Sequence, residues 1–190
     1  MALILPVRRT TMQTMLGILL VIVATALGAQ IEPLAATPFA DAVPGTLQTL
    51  AVLAGGALLG PGRGALAMLG YLALGLVGVP VFHDWKALPP ADFVNYFSAG
   101  YLIGFIPAAA FAGWAAQRWR SLLGLLLVML LGHLIVLGIG APVFAAWTSI
   151  ELALERGLIN LLPDMGIKSA LGALLVYFWR VRRSTSTSSS

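Results

Sequence analysis

An all-α integral membrane protein with six transmembrane helices is the fold class that this 190-residue sequence predicts, on three observations. Hydrophobic residues make up 59% of the chain and charged residues only 9%, against roughly 25% charged in an ordinary soluble domain. So few charges do not cover the surface of a soluble chain of this size. Next, six apolar stretches approach the roughly 20 residues that a helix needs to cross about 30 Å of hydrocarbon. Finally, the charges sort by side once those stretches are taken as spans. The same composition excludes a disordered chain, and the lack of Cys excludes a disulfide scaffold, a thiolate metal site and a Cys nucleophile.

In chain order the spans are 11–31, 45–60, 64–82, 98–116, 121–147 and 164–181. Each is continuously apolar rather than alternating at every second residue, which selects helices over a barrel. The second has 16 residues and rises only about 24 Å. Pro142 marks a place for a break or kink in the fifth. Arg8, Arg9, Arg63, Arg118, Arg120, Arg180, Arg182 and Arg183 then share one side with no acid among them. All seven acids, Glu32, Asp41, Asp84, Asp92, Glu151, Glu155 and Asp164, take the other side with Lys86, Arg156 and Lys168. The basic side reads as cytoplasmic, with both termini in it. The pI of about 10.0 is thereby assigned to topology and anionic membrane lipid, not to nucleic acid. Arg8-Arg9, an apolar run and Ala26-Leu27-Gly28-Ala29 have the form of a cleavable secretory signal. Five further spans and the charge pattern favour a retained helix. A single domain is expected over 1–183, followed by a Ser/Thr tail, 184–190, with no apolar face to bury.

Gly56, Gly60 and Gly64 fall four apart, as do Gly100 and Gly104, and Ala24 with Gly28. Such spacing lets helix backbones approach closely and is read first as packing within the chain. No Gly-rich phosphate loop is present, and no soluble domain is large enough to hold an ATPase. Two His and no Cys give no metal site, no cofactor is expected, and no nucleophile has a base at matching depth. His133, in mid-span without a sequence-near acid, reads as a packed or hydrogen-bonded side chain, and His83 as a headgroup-level residue of the outer loop.

Polar residues inside spans mark cavities. They gather toward the outer face: Thr46, Gln48 and Thr49 at the start of the second span, Asn95, Tyr96, Ser98 and Tyr101 around the start of the fourth, and Asn160, Asp164 and Lys168 at the sixth. One-sided clustering predicts a pocket open to the outside, because a channel needs polar lining through its full depth. Asp164 and Lys168, at i and i+4, share a helix face. Two readings stay open for them: a substrate site, with Lys168 facing a carboxylate and Asp164 accepting N–H groups, or a structural ion pair. Gln48 is either a ligand for an amide-like group or a helix-to-helix hydrogen bond.

Gly28-Ala29-Gln30-Ile31-Glu32-Pro33-Leu34, Val43-Pro44-Gly45-Thr46-Leu47-Gln48-Thr49, Leu58-Leu59-Gly60-Pro61-Gly62-Arg63-Gly64-Ala65, the run from Tyr71 to Phe82, and Gly100-Tyr101-Leu102-Ile103-Gly104-Phe105 resemble successive blocks of the BioY family. Members of that family are biotin-binding S components of energy-coupling-factor (ECF) transporters. The resemblance implies an S-component-like six-helix bundle in the bacterial cell membrane, a biotin pocket near the external face, and no enzymatic activity. Gln48, Asn95 and Asp164 are then expected at the ureido ring, Phe82 and Tyr101 at the apolar body, and Lys168 at the carboxylate, with Thr46 and Tyr96 completing the wall. The chain departs from the family pattern at Tyr96-Phe97-Ser98-Ala99, where the family shows Gly-Pro-Thr-Gly, and at Gly45, where it shows a bulky aromatic. Its acid, Asp164, lies one position early, and Met165 occupies the usual place. The resemblance also implies an ECF transmembrane coupling protein and two ATPases as partners. Those partners dock on small residues of the first helix, where Gly17 and Ala24–Gly28 are the nearest candidates. Action alone as a homo-oligomer, a related carboxylated vitamin or precursor as substrate, and a membrane scaffold or intramembrane enzyme are the alternatives.

Overall fold

The computed structural model describes residues 10–32 and 45–186. Its helices are α1 (Thr11–Gly28), α2 (Gln48–Leu59), α3 (Pro61–Leu76), α4 (Pro90–Phe93), α5 (Ala99–Arg118), α6 (Leu122–Trp147), α7 (Ile150–Gly157) and α8 (Leu162–Ser186), with 3-10 turns at His83–Trp85 and Ile159–Leu161. No strand occurs among the described residues. Each expected span has its helix. Thr11–Gly28, Ala99–Arg118, Leu122–Trp147 and the combined stretch Ile150–Arg183 are long and apolar enough to cross a membrane. Helices α2 and α3, with 12 and 16 residues, rise only about 18 and 24 Å and fall short of it. The expected tail overlaps α8, which continues through Ser186; 187–190 lie outside the described residues.

Local sequence explains the ends. Thr10 and Gln13 form a reciprocal capping box at α1, and the Ser121 and Ser149 hydroxyls cap α6 and α7. Gly60 both ends α2 and starts α3 at φ +90, a backbone region costly for any residue with a Cβ, and Pro61 then supplies the first helical position of α3. Pro107 and Pro142 sit inside α5 and α6, and both helices continue through them; surrounding helices make such positions tolerable in a membrane bundle.

The core lies where α2 is enclosed by α1, α3, α5, α6 and α8. That enclosure buries eight of its 12 residues. The Gly spacing is resolved as packing within the chain. A Cβ on Gly64 would stand 2.9 Å from the Gly56 Cα, and Gly56 itself lies against the Ala109 backbone. The α5 face that receives them is Ala108, Ala109, Ala112, Ala115 and Ala116, all fully buried. Gly104 likewise rests on the backbone of Val136 in α6. By contrast α1 exposes Met12, Met15, Leu16, Leu19, Leu20, Val23 and Leu27. Of the Ala24–Gly28 pair, Gly28 packs on the Leu47 backbone and Ala24 is exposed.

Candidate functional site

The starts of α2, α5 and α8, the loop after α3 and the middle of α6 surround one cavity of about 710 Å³, its open mouth included. Three helices each present a face to it at helical spacing: Ser98, Tyr101, Leu102 and Phe105; His133, Val136 and Leu137; Leu161, Asp164, Met165 and Lys168. Gly45, Thr46, Gln48 and Thr49 close one wall, and Phe82, His83 and Tyr96 close the rim.

At the polar wall the Lys168 ammonium pairs with Asp164 Oδ2 and also donates to the Thr46 carbonyl. Lys168 is 3% and Asp164 6% exposed, so each charge depends on the other for its stability there. Asp164 Oδ1 is buried and has no hydrogen-bond partner among the described residues, and the same holds for Ser98 Oγ. Gly45 lies against the Asp164 carboxyl, where an added Cβ would be 3.5 Å from Oδ2. Gln48 is held between neighbours: its carbonyl oxygen accepts from the Thr46 hydroxyl at 3.0 Å and its amide donates to Tyr71 OH. Tyr71 OH in turn donates to the Val81 carbonyl at 3.0 Å. Tyr101 OH donates to the Gly157 carbonyl at 2.9 Å, so its ring, not its hydroxyl, is what it offers the cavity. Phe82 is fixed edge-on to Tyr71, with ring centroids 5.4 Å apart. Tyr96 is half-buried at the rim, and burial pushes its hydroxyl pKa up.

A turn at His83–Trp85 overhangs the mouth, and Asp84 and Trp85 adopt positive φ of 56 and 53. The chain after α1 holds this strained turn. Gln30 donates to the Phe82 carbonyl at 2.9 Å and accepts from the Trp85 N–H at 3.1 Å. His83 contacts the Ala29 carbonyl and Glu32, both at 3.0 Å.

Seven of the eight residues expected at the site, Thr46, Gln48, Phe82, Tyr96, Tyr101, Asp164 and Lys168, line this cavity. Asn95 does not. It is exposed, and its amide donates to the Ala91 carbonyl one turn back. The Asn160 side chain lies outside the described residues. His133 is hydrogen-bonded, as expected, but it also lines the cavity, which its lone position did not announce. Leu102, Phe105, Val136, Leu137 and Met165 line the cavity too, and the sequence does not single them out, because apolar residues carry no distinguishing mark in an apolar helix. Their i, i+3, i+4 relation to the polar residues was the available signal.

Fold and site together define a helical membrane protein with a mostly apolar cavity whose wall carries a buried ion pair. The chain belongs to the BioY family, whose model matches residues 5–186. It is 44% identical over 85 residues to the biotin transporter BioY of Rhodobacter capsulatus, covering 45% of this chain and 44% of that protein. With BioY of Thermotoga maritima it shares 31% over 134 residues, 70% of this chain and 78% of that one. For the first of the curated relatives, then, the match spans under half of their own length. Among solved structures, the S-component for biotin from an ECF-type ABC transporter matches with a TM-score of 0.75. That match covers 91% of this chain and 95% of the other at 24% identity, and so establishes the S-component fold.

Proposed function

We propose that the chain is the biotin-capturing subunit of an uptake system in a bacterial cell membrane, and not an enzyme. The observation that carries this reading is the unpaired, buried carboxylate oxygen of Asp164, a residue of the cavity wall, in a chain of this family. Relatives named as biotin transporters and the biotin S-component support it. In this reading 1–183 is one domain. α1, α2, α3, α5, α6 and α8 are six spans with both termini cytoplasmic, and the cavity opens outside. Energy comes from an ECF transmembrane coupling protein with two ATPases that dock beside α1; a homo-oligomer working alone is the competing arrangement. Lipid covers the remaining apolar surface.

Within the cavity the ion pair favours the ureido ring, not the carboxylate, at Lys168. A ligand carboxylate placed there would meet Asp164 as well, and like charges in a buried site repel. A ureido N–H instead fits Asp164 Oδ1, and the ureido oxygen fits the remaining hydrogen of the Lys168 ammonium. Tyr101, Phe82, Leu102 and Phe105 then cover the apolar ring, and the carboxylate points to the mouth. Tritiated biotin on the purified chain in nanodiscs tests both levels. Saturable binding displaced by excess biotin but not by thiamine or riboflavin is expected. Absence of saturable biotin binding overturns the function. Lys168→Met is expected to weaken biotin and its uncharged amide alike; a loss confined to biotin returns Lys168 to the carboxylate.

A further inference from the structure

One buried ionisable group lines the cavity without a role in contacting the ligand. His133 is 5% exposed, sits in the middle of α6 and reaches both walls of the cavity. Its Nδ1 lies 2.9 Å from the Met129 carbonyl, and its Nε2 lies 3.0 Å from Thr49 Oγ1. Ser169 Oγ is 3.1 Å from Nδ1. A carbonyl oxygen only accepts, so Nδ1 carries the hydrogen, which Met129 and Ser169 share. With the positive charge of this region already on Lys168 beside Ser169, the ring is neutral, and Nε2 accepts from the Thr49 hydroxyl.

Each partner sits next to a binding residue. Thr49 follows Gln48 on α2, and Ser169 follows Lys168 on α8. Beside these bonds α8 also meets α2 and α6 through apolar atoms, since a Cβ on Gly172 would stand 3.2 Å from both the Leu50 and Met129 side chains. Such contacts are non-directional and leave room for sliding. The hydrogen bonds of His133 do not, because each has a short distance and a direction. We propose that His133 is the positioning residue of the site: through Thr49 and Ser169 it fixes the gap between the Thr46–Gln48 wall and the Asp164–Lys168 wall, and so the fit of the ligand's polar ring. It acts through its neighbours and need not touch the ligand.

The proposal rests on the biotin reading above. A wild-type chain that binds no biotin ends both; a wild-type chain that binds biotin leaves this one to stand or fall on the variants. Equilibrium and dissociation measurements with tritiated biotin on the full chain separate fit from folding. His133→Leu, close in size, is expected to raise Kd about tenfold, with faster dissociation and an unchanged number of sites. A merely structural role would lower the number of sites and leave Kd alone. His133→Gln keeps an acceptor near the Nε2 position and is expected to recover most of the affinity. Thr49→Val is expected to weaken binding by itself but to add little on top of His133→Leu, since both remove one link. Unchanged Kd in His133→Leu, no recovery with Gln, or full additivity with Thr49→Val overturns the proposal. Should His133→Leu fail to give monodisperse protein, Thr49→Val decides alone, and wild-type Kd in that variant overturns it.

Discussion

The two ends of this helical bundle treat polar groups in opposite ways. At the end formed by the last turns of α2, α5 and α8, guanidinium groups meet backbone carbonyls. Arg180 donates to the Ala116 and Ala57 carbonyls at 2.7 and 3.3 Å, Arg118 to Trp114 at 3.2 Å and Arg120 to Gln117 at 3.0 Å. The Ala116, Gln117 and Ala57 carbonyls belong to the last turns of α5 and α2, where the helix dipole is negative and intrahelical partners run out. Arg118 also stacks 4.3 Å over the Trp114 ring. Both buried side-chain atoms left without a partner among the described residues belong to the other end. There an ion pair is sealed inside, and the buried Asp164 Oδ1 and Ser98 Oγ belong to residues of the cavity wall. An unsatisfied buried polar atom costs about 1–3 kcal/mol. One end uses its polar groups within the fold, and the other leaves two buried polar atoms unpaired.

The largest expected effect comes from cutting the ion pair. Asp164→Leu leaves the Lys168 ammonium buried without its carboxylate, a change worth about 3–5 kcal/mol, and is expected to lower thermal stability sharply and abolish biotin binding. The double variant Asp164→Leu/Lys168→Met separates the two losses. Its stability is expected to return near that of the wild type, while binding stays lost. Thermal unfolding in detergent read beside biotin binding checks this. A double variant that binds would show the pair to be scaffold only, and the contrast between the two ends would collapse.

Arg180 probes the opposite end. Arg180→Met is expected to destabilise the chain by about 2 kcal/mol, since hydrogen bonds to a charged group are the stronger ones. The Kd for biotin should stay within about twofold of wild type, because additivity holds for distant sites. A large change in Kd would mean that the two ends are coupled and do not divide the work between them.

The same contrast accounts for what could be read from the sequence. Helix positions were legible because apolar runs and the sorting of Arg against Asp and Glu are composition, which survives without coordinates. The cavity residues that were found, such as Asp164 and Lys168, are polar residues out of place in an apolar segment. Two things were not legible. One was the enclosure of α2, which nothing in Gln48–Leu59 announces. Side-chain direction was the other. Asn95 has the right chemistry at nearly the right place, yet it turns back to Ala91. That His133 is hydrogen-bonded was legible, but not its partner Thr49, which is 84 residues away in sequence. Even the Arg end was read for charge alone; that Arg180 would find two carbonyls on separate helices follows from the bundle, not from the last span.

The smallest effect is also the most discriminating. Ser98 belongs to the cavity wall, and its Oγ is buried without a close hydrogen bond among the described residues, interacting only weakly with the Tyr96 hydroxyl. The Thr46 and Tyr101 hydroxyls are used, Thr46 donating to Gln48 and Tyr101 to Gly157. Removing a hydroxyl that makes no close hydrogen bond costs the empty protein little and relieves a desolvated group. Ser98→Ala is therefore expected to leave the unliganded melting temperature unchanged or slightly raised. In the presence of saturating biotin, stabilisation should fall, because ligand stabilisation follows affinity. A single neutral hydrogen bond is worth about 1 kcal/mol, so the loss in affinity should be roughly fivefold. A lower melting temperature in the absence of ligand would mean that Ser98 already has a partner and belongs to the scaffold. Wild-type affinity would mean that the ligand never reaches this wall, and of the two unpaired atoms at this end only Asp164 Oδ1 would remain for it.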